Sequence, residues 1–190
     1  GKRDTKVIVL MGGPDFWSNG IHLNTIEAAE SPADESWANI NAMDDLCRAS
    51  LGCGSHYVVA AMQGNAGAGG VFLALTSDRV VAREGVILNP HYKGMGNLYG
   101  SEYWTYLLPR RVGRERAQAI TQNRLPIGAP ETVEQGLIDA CFGADVPAFA
   151  AQVRKQAYEL AARPDLAQMV EEKRATRARD EAAKPLEVHR

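Results

Sequence analysis

Gln63-Gly64-Asn65-Ala66-Gly67-Ala68-Gly69-Gly70 is the stretch on which the fold turns. Before it, Tyr57-Val58-Val59-Ala60-Ala61-Met62 reads as a short buried strand. Behind it, Val71-Phe72-Leu73-Ala74-Leu75 is apolar enough for a core helix. Strand, glycine-rich turn and helix together present free backbone N–H groups to something negative. Glycine lets a ligand approach such a backbone closely. Taken alone, the same turn serves equally well as a tight corner whose small residues permit close packing.

Working outward, Lys6-Val7-Ile8-Val9-Leu10-Met11 is continuously apolar and closes on Gly12-Gly13-Pro14, the pattern of a strand buried on both faces in a parallel sheet. A buried strand so near residue 1 predicts further strands upstream. Residues 15–24 read as a loop with turn chemistry at Ser18-Asn19-Gly20. Phe16 and Trp17 are expected beneath it, and His22 is expected to be a hydrogen-bonded structural residue. Ser31-Pro32-Ala33-Asp34-Glu35 starts a helix. On it Trp37, Ile40, Met43, Asp44 and Cys47 recur at helical spacing, with Trp37 assigned to the core. Glycines 52 and 54 end it.

Beyond the central helix, residues 78–82 and 86–88 are strand-like around Glu84-Gly85. Strands alternating with helices indicate α/β architecture with a largely parallel sheet and right-handed crossovers. Residues 89–113 begin as a glycine-rich loop. Ser101 is positioned to cap a helix over 102–108. Aromatic and ionisable side chains crowd this span, with Trp104 and Tyr106 expected to pack. Arg110 and Arg111 are of a type that meets phosphates, though arginines at a helix end are more often structural. Residues 114–122 form a helix, 127–130 a turn, 131–135 a helix closed by Gly136, and 137–142 a strand-like run. Residues 148–162 form a helix with Phe149, Val153 and Leu160 on one side. A last helix over 165–183 shows a narrow stripe of Leu166, Met169 and Val170, suited to a partner subunit or to a solvated terminal helix. The organisation expected is a core over 1–143 and a helical region over 144–190.

Composition narrows the function classes. A chain of 190 residues, 45% hydrophobic and 23% charged, describes one soluble globular domain or most of one. A net charge of −2 leaves no nucleic-acid footprint. No apolar run is long enough to span a bilayer, and no signal peptide opens the sequence, so a cytoplasmic location and no membrane partner are expected. Cys47, Cys53 and Cys141 lack metal-type spacing and read as free thiols, with no metal expected.

Taken together, these pieces resemble the crotonase (enoyl-CoA hydratase/isomerase) superfamily, from about Val7 to about Leu160. Strand 7–11 with Phe16-Trp17-Ser18-Asn19-Gly20-Ile21-His22-Leu23 resembles the family's strand and Phe-x-Ala-Gly-x-Asp loop. Residues 57–78 resemble its strand, Asn-Gly-x-Ala-x-Gly-Gly-Gly turn, core helix and closing aspartate. Leu88-Asn89-Pro90, residues 107–113 and Gln135-Gly136-Leu137-Ile138 resemble its later signatures. Residues 13–24, 63–70 and 89–104 resemble more closely the C-terminal crotonase-like domain of HoxX-type hydrogenase maturation proteins.

The resemblance implies a partial ββα spiral fold with C-terminal helices, N-terminally truncated relative to that family. It implies a two-part enzyme. An absent N-terminal part passes a formyl group from formyl-tetrahydrofolate to coenzyme A. The crotonase-like part breaks formyl-CoA into carbon monoxide and coenzyme A for [NiFe]-hydrogenase maturation, so the hydrogenase maturation machinery is a partner. By the match, Ile21 and Gly69 supply the N–H pair of an oxyanion hole. Ser18, Asn19, Gly20, Asn65, Gly67 and Gly70 bind or clear space for coenzyme A. Where hydratases carry catalytic glutamates, this sequence has Phe72 and His91, so hydration is disfavoured. The acid/base role passes to Glu102, with Tyr92 and Tyr103 positioning or protonating and His91 in reserve. The bland alternative for Glu102 is a carboxylate complementing a helix dipole. Two other classes stay open: a generic acyl-CoA hydratase or isomerase, and a non-catalytic module trimerising through its C-terminal helices.

Overall fold

The computed structural model describes residues 4–92 and 100–190. The apolar runs pair into one four-stranded parallel sheet, built from β1 (Val7–Leu10), β3 (Tyr57–Met62), β5 (Arg79–Ala82) and β8 (Ala140–Cys141) in the order β1-β3-β5-β8. A second sheet takes the short stretches that follow each of the first three, β2 (Phe16–Ser18), β4 (Asn65–Gly67) and β6 (Ile87–Asn89), together with β7 (Ile127–Gly128), in the order β2-β4-β6-β7. It is parallel except where β6 meets β7. Each of the first three turns of the chain thus gives one strand to each sheet and then helix, the ββα spiral expected from the resemblance. The residue pattern alone had suggested one sheet, because three-residue strands carry too little alternation to read.

Helices α1 (Leu23–Ala28) and α2 (Pro32–Leu51) follow β2, and α3 (Gly69–Leu75) follows β4. Helices α4 (Trp104–Val112) and α5 (Arg114–Gln122) follow β6, with α4 against α3, α6 (Ala129–Glu134) links β7 to β8, and α7 (Val146–Ala161), α8 (Leu166–Ala183) and a 3-10 turn, η1 (Leu186–His189), complete the chain. Every residue of α3 is buried, so this helix is the centre of the main core. A smaller cluster joins Val59, Ala61 and Val81 to Phe149 and Val153 of α7, the face read from the sequence.

Several expectations change. β1 is half-buried, not buried on both faces, because it forms the edge of its sheet. Residues 15–24 are not a simple loop: they hold β2 and the start of α1. Phe16 lies 59% exposed rather than packed beneath, whereas Trp17 is half-buried. Trp37 lies 71% exposed, since the buried positions of α2 are Met43, Asp44, Cys47 and Leu51, all in its second half. Its first half holds none of the buried positions and packs mainly against the short α1.

Residues 127–130 are strand and helix start rather than turn, and only Ala140–Cys141 of 137–142 is strand. Helix α4 begins at Trp104, with Glu102 and Tyr103 before it, both in the left-handed region (φ 53° and 60°). Ser101 therefore does not cap a helix over 102–108. Part of the 89–113 loop, residues 93–99, lies outside the described residues.

Helix α8 lies against its own chain. Lys173 Nζ is 2.6 Å from Asp78 Oδ2, Arg48 pairs with Glu181 at 3.1 Å, and Tyr106 donates its hydroxyl to Asp180 at 2.7 Å. Arg110 pairs with Asp180 at 2.8 Å over the Tyr106 ring, and Arg111 with Asp139 at 2.8 Å, so both arginines are structural here. No helix among the described residues is long and apolar enough to cross a membrane.

Candidate active site

The N-terminus of α3 is where the two sheets and the first helices converge. Gly69 is its first residue, and the amides of a helix's first turn have no carbonyl partner within it. The segment after β2 lies across this end. Trp17 donates its indole N–H to the Gly70 carbonyl at 2.8 Å, and Ser18 Oγ accepts the Gly20 N–H at 3.2 Å. A Cβ on Gly20 would lie 3.3 Å from Gly69 N, which measures how closely the Gly20–Ile21 loop approaches the helix end. A Cβ on Gly70 would overlap the Ser18 carbonyl, so backbone meets backbone there and only glycine fits.

Asn19, Gly20, Ile21 and Gly69 line a cavity of about 200 Å³ with Leu23, Ile40, Ala68, Tyr92, Gly100, Ser101 and Glu102. Glu102 is 4% exposed. Its carboxylate accepts the Tyr92 hydroxyl at 2.7 Å and the Ser101 N–H at 3.2 Å. Its other oxygen faces Gly69 so closely that a Cβ there would overlap it. The Glu102 N–H donates to Asp44 Oδ1 of α2 at 2.8 Å. Phe72 stacks on the Tyr92 ring, 5.5 Å between centroids and 18° between planes, with Trp104 6.5 Å from Phe72.

Burial sets the proton affinities. Desolvation raises the Glu102 carboxyl above its ordinary value. Hydrogen bonds from Tyr92 and Ser101 pull it back, and the Asp44 charge adds to the rise. Asp44 is raised by its own burial, against the Glu102 N–H and Arg190, which lower it. Burial, then the Glu102 charge, pushes the Tyr92 phenol far up, so it stays a donor. The Cys47 thiol, three residues from Asp44, is pushed up by burial and by both carboxylates.

The sequence-derived site residues divide. Ile21, Gly69, Asn19, Gly20, Tyr92 and Glu102 meet at one cavity. Ser18, Gly67 and Gly70 lie behind its wall, and Asn65 Oδ1 accepts the Ile87 N–H at 3.0 Å, tying β4 to β6. Tyr103 is fully buried and His91 half-buried, neither on the lining. His22 Nδ1 accepts the Thr25 N–H at the start of α1, a structural role. Asp44 was read only as one position of a helical stripe. An acid inside an otherwise apolar stripe was the signal, because carboxylates are rarely buried without a partner. Among the described residues no group of histidine, cysteine and carboxylate side chains is placed to hold a metal ion.

Comparison with known proteins follows the geometry. The profile of the enoyl-CoA hydratase/isomerase family matches residues 1–190. The hydrogenase maturation factor HoxX of Bradyrhizobium diazoefficiens is 54% identical over 189 residues, covering 100% of this chain and 33% of that protein. The crystal structure of HypX from Aquifex aeolicus in complex with tetrahydrofolic acid superposes with a TM-score of 0.93 at 52% identity, over 100% of this chain and 34% of that one. An enoyl-CoA hydratase from Mycobacterium avium subsp. paratuberculosis shares the fold, with a TM-score of 0.75 at 24% identity, over 99% of this chain and 70% of that one. The chain spans about a third of the length of HoxX and HypX. With its ββα spiral and a family match along its whole length, this chain belongs to the enoyl-CoA hydratase/isomerase family.

Proposed function

We propose that this chain decarbonylates formyl-CoA to carbon monoxide and coenzyme A, the carbon monoxide serving as a ligand in [NiFe]-hydrogenase maturation. The observation that carries the reading is the buried Glu102 carboxylate, hydrogen-bonded to Tyr92 and facing Gly69 across one small cavity. The positions where the resemblance places hydratase acids hold Phe72, stacked on Tyr92, and His91, off the lining. Similarity to the hydrogenase maturation factor HoxX supports the link to hydrogenase maturation, and the enoyl-CoA hydratase/isomerase family match supports a coenzyme A thioester as substrate.

In this reading the formyl oxygen sits between the N–H groups of Ile21 and Gly69, an oxyanion hole of fixed backbone dipoles that polarises the carbonyl. Glu102 takes the formyl proton. The electron pair of the C–H bond becomes the carbon lone pair of carbon monoxide as the C–S bond breaks and its pair leaves with sulfur. The protonated Glu102 returns its proton to the thiolate, so formyl-CoA gives carbon monoxide and coenzyme A with no net proton change. Tyr92 orients the carboxylate. The raised proton affinity of Glu102 suits both steps, since a general base works best near the operating pH. Ser18, Asn19, Gly20, Asn65, Gly67 and Gly70 shape the approach of coenzyme A. Transfer of formyl from formyl-tetrahydrofolate to coenzyme A we assign outside these 190 residues.

The test is carbon monoxide release from formyl-CoA, read by the spectral shift of deoxyhaemoglobin. Release by the wild type and a fall on the order of 10²- to 10⁴-fold in Glu102→Gln, with coenzyme A binding retained, is the expected outcome. Equal release by Glu102→Gln removes that residue from the mechanism. Coenzyme A binding without any release returns the protein to hydratase-like or scaffold roles.

A further inference from the structure

Asp44 is a second carboxylate beside the cavity, and the reaction above gives it no task. It is as deeply buried as Glu102, on a different element, and the two touch through the Glu102 backbone N–H. That N–H belongs to a residue at φ 53°, followed by Tyr103 at φ 60°. Two successive non-glycine residues in the left-handed region are strained, and such pairs persist only where the surroundings hold them. The Glu102 side chain reaches Gly69 because of this turn. A regular helical start at Ser101 would carry it elsewhere.

From these contacts we propose that Asp44 is a positioning residue, holding Glu102 in the left-handed turn that aims its carboxylate at Gly69 and the cavity. The proposal rests on the reading of Glu102 as the proton acceptor. A counter-charge stands on the far side of Asp44: Arg190 Nε lies 3.6 Å from Asp44 Oδ2, and the same guanidinium reaches Asp45 at 2.9 Å and Asn41 at 2.8 Å. Arg190 thus clamps the face of α2 that presents Asp44. The groups facing Glu102 are Tyr92 from the segment after β6, Ser101 from its own, and Asp44 and Cys47 from α2. Among them Asp44 is the nearby negative charge that makes Glu102 harder to ionise. Removing that charge while keeping an acceptor oxygen lowers the proton affinity of Glu102. Removing the oxygen as well releases the turn.

Two variants separate these effects. Asp44→Asn retains an oxygen for the Glu102 N–H and lacks the charge, and Asp44→Ala lacks both. The readouts are the carboxyl carbon-13 NMR titration of glutamate-labelled protein, with the Glu102 signal identified by its loss in Glu102→Gln, and the steady-state release of carbon monoxide. In Asp44→Asn the Glu102 titration and the acid limb of the pH–rate profile both move to lower pH, with KM for formyl-CoA unchanged. In Asp44→Ala kcat falls on the order of 10²-fold, as expected of a displaced reacting group, while KM changes by less than about twofold. A Glu102 titration and a kcat identical in Asp44→Ala and Asp44→Asn overturn the proposal, since the two differ in the oxygen that holds the Glu102 N–H; if Asp44→Ala does not fold, Asp44→Ser, whose hydroxyl falls short of that N–H, takes its place. If the wild type releases no carbon monoxide, the functional reading fails, and the titration still tests the hold of Asp44 on Glu102.

Discussion

Glu102 owes its reach to backbone geometry as much as to its carboxylate. In the left-handed turn it lies against Gly69, the residue whose amide opens α3. A methyl group at position 69 would overlap the Glu102 carboxylate, yet alanine suits a helix. Gly69→Ala is therefore expected to lower carbon monoxide release on the order of 10²-fold, while the unfolding free energy stays within about 1 kcal/mol of wild type. Steady-state kinetics beside urea denaturation check this. Loss of both properties would mean the glycine serves packing alone. Gly20, Ile21, Gly69, Tyr92 and Glu102 were legible in sequence, because loop and turn motifs carry them. Asp44 was read correctly on the buried stripe of its helix but not as a neighbour of the site, and Tyr103, expected beside Glu102, is buried off the lining. Adjacent left-handed residues turn one side chain in and the other away, and no spacing rule encodes that.

At the scale of elements, runs with strong periodicity read correctly and short or outward-facing ones did not. Residues 114–122 and the α7 face matched the structure, whereas β2 escaped notice because its three residues are strand only through pairing with β4. Trp37 shares helical spacing with Cys47, but the half of α2 that carries it holds no buried position. Helix α8 shows the converse: its sequence was read as suited to a partner subunit or to a solvated terminal helix, and it docks on its own chain through charged contacts. Lys173 and Asp78 are 14% and 9% exposed at their side chains, and Asp78 Oδ2 also accepts the Val58 N–H of β3 at 2.7 Å. Lys173→Met leaves that carboxylate without its cation. The expected loss is about 2–3 kcal/mol, below that of a fully enclosed pair because some water reaches the lysine. Chemical denaturation measures it, and hydrogen exchange should show α8 loosening before the sheets.

For the molecule as a whole, the two raised carboxyls couple folding to pH. Glu102 and Asp44 bind protons more tightly folded than unfolded. Between the ordinary carboxylate range and their raised values the native state therefore holds more protons, and stability falls as pH rises through that window. Mild acid is expected to raise the unfolding midpoint relative to neutral pH. Glu102→Gln, which cannot ionise, should flatten that slope. Denaturation curves at several pH values test it, and an equal slope in both proteins would place the coupling elsewhere. The same buried charge that suits a proton shuttle thus weakens the fold near neutrality, a familiar exchange of stability for function.

Cys47 bears on what the cavity must not do. A cysteine thiolate is a good acyl acceptor, and one near a formyl thioester would capture the formyl group as a protein thioester and stall the cycle. Here the sulfur is sealed from solvent behind Glu102 and Asp44, whose negative charges and shared burial keep it protonated. The wall that holds the base in place also quarantines the chain's most tempting nucleophile.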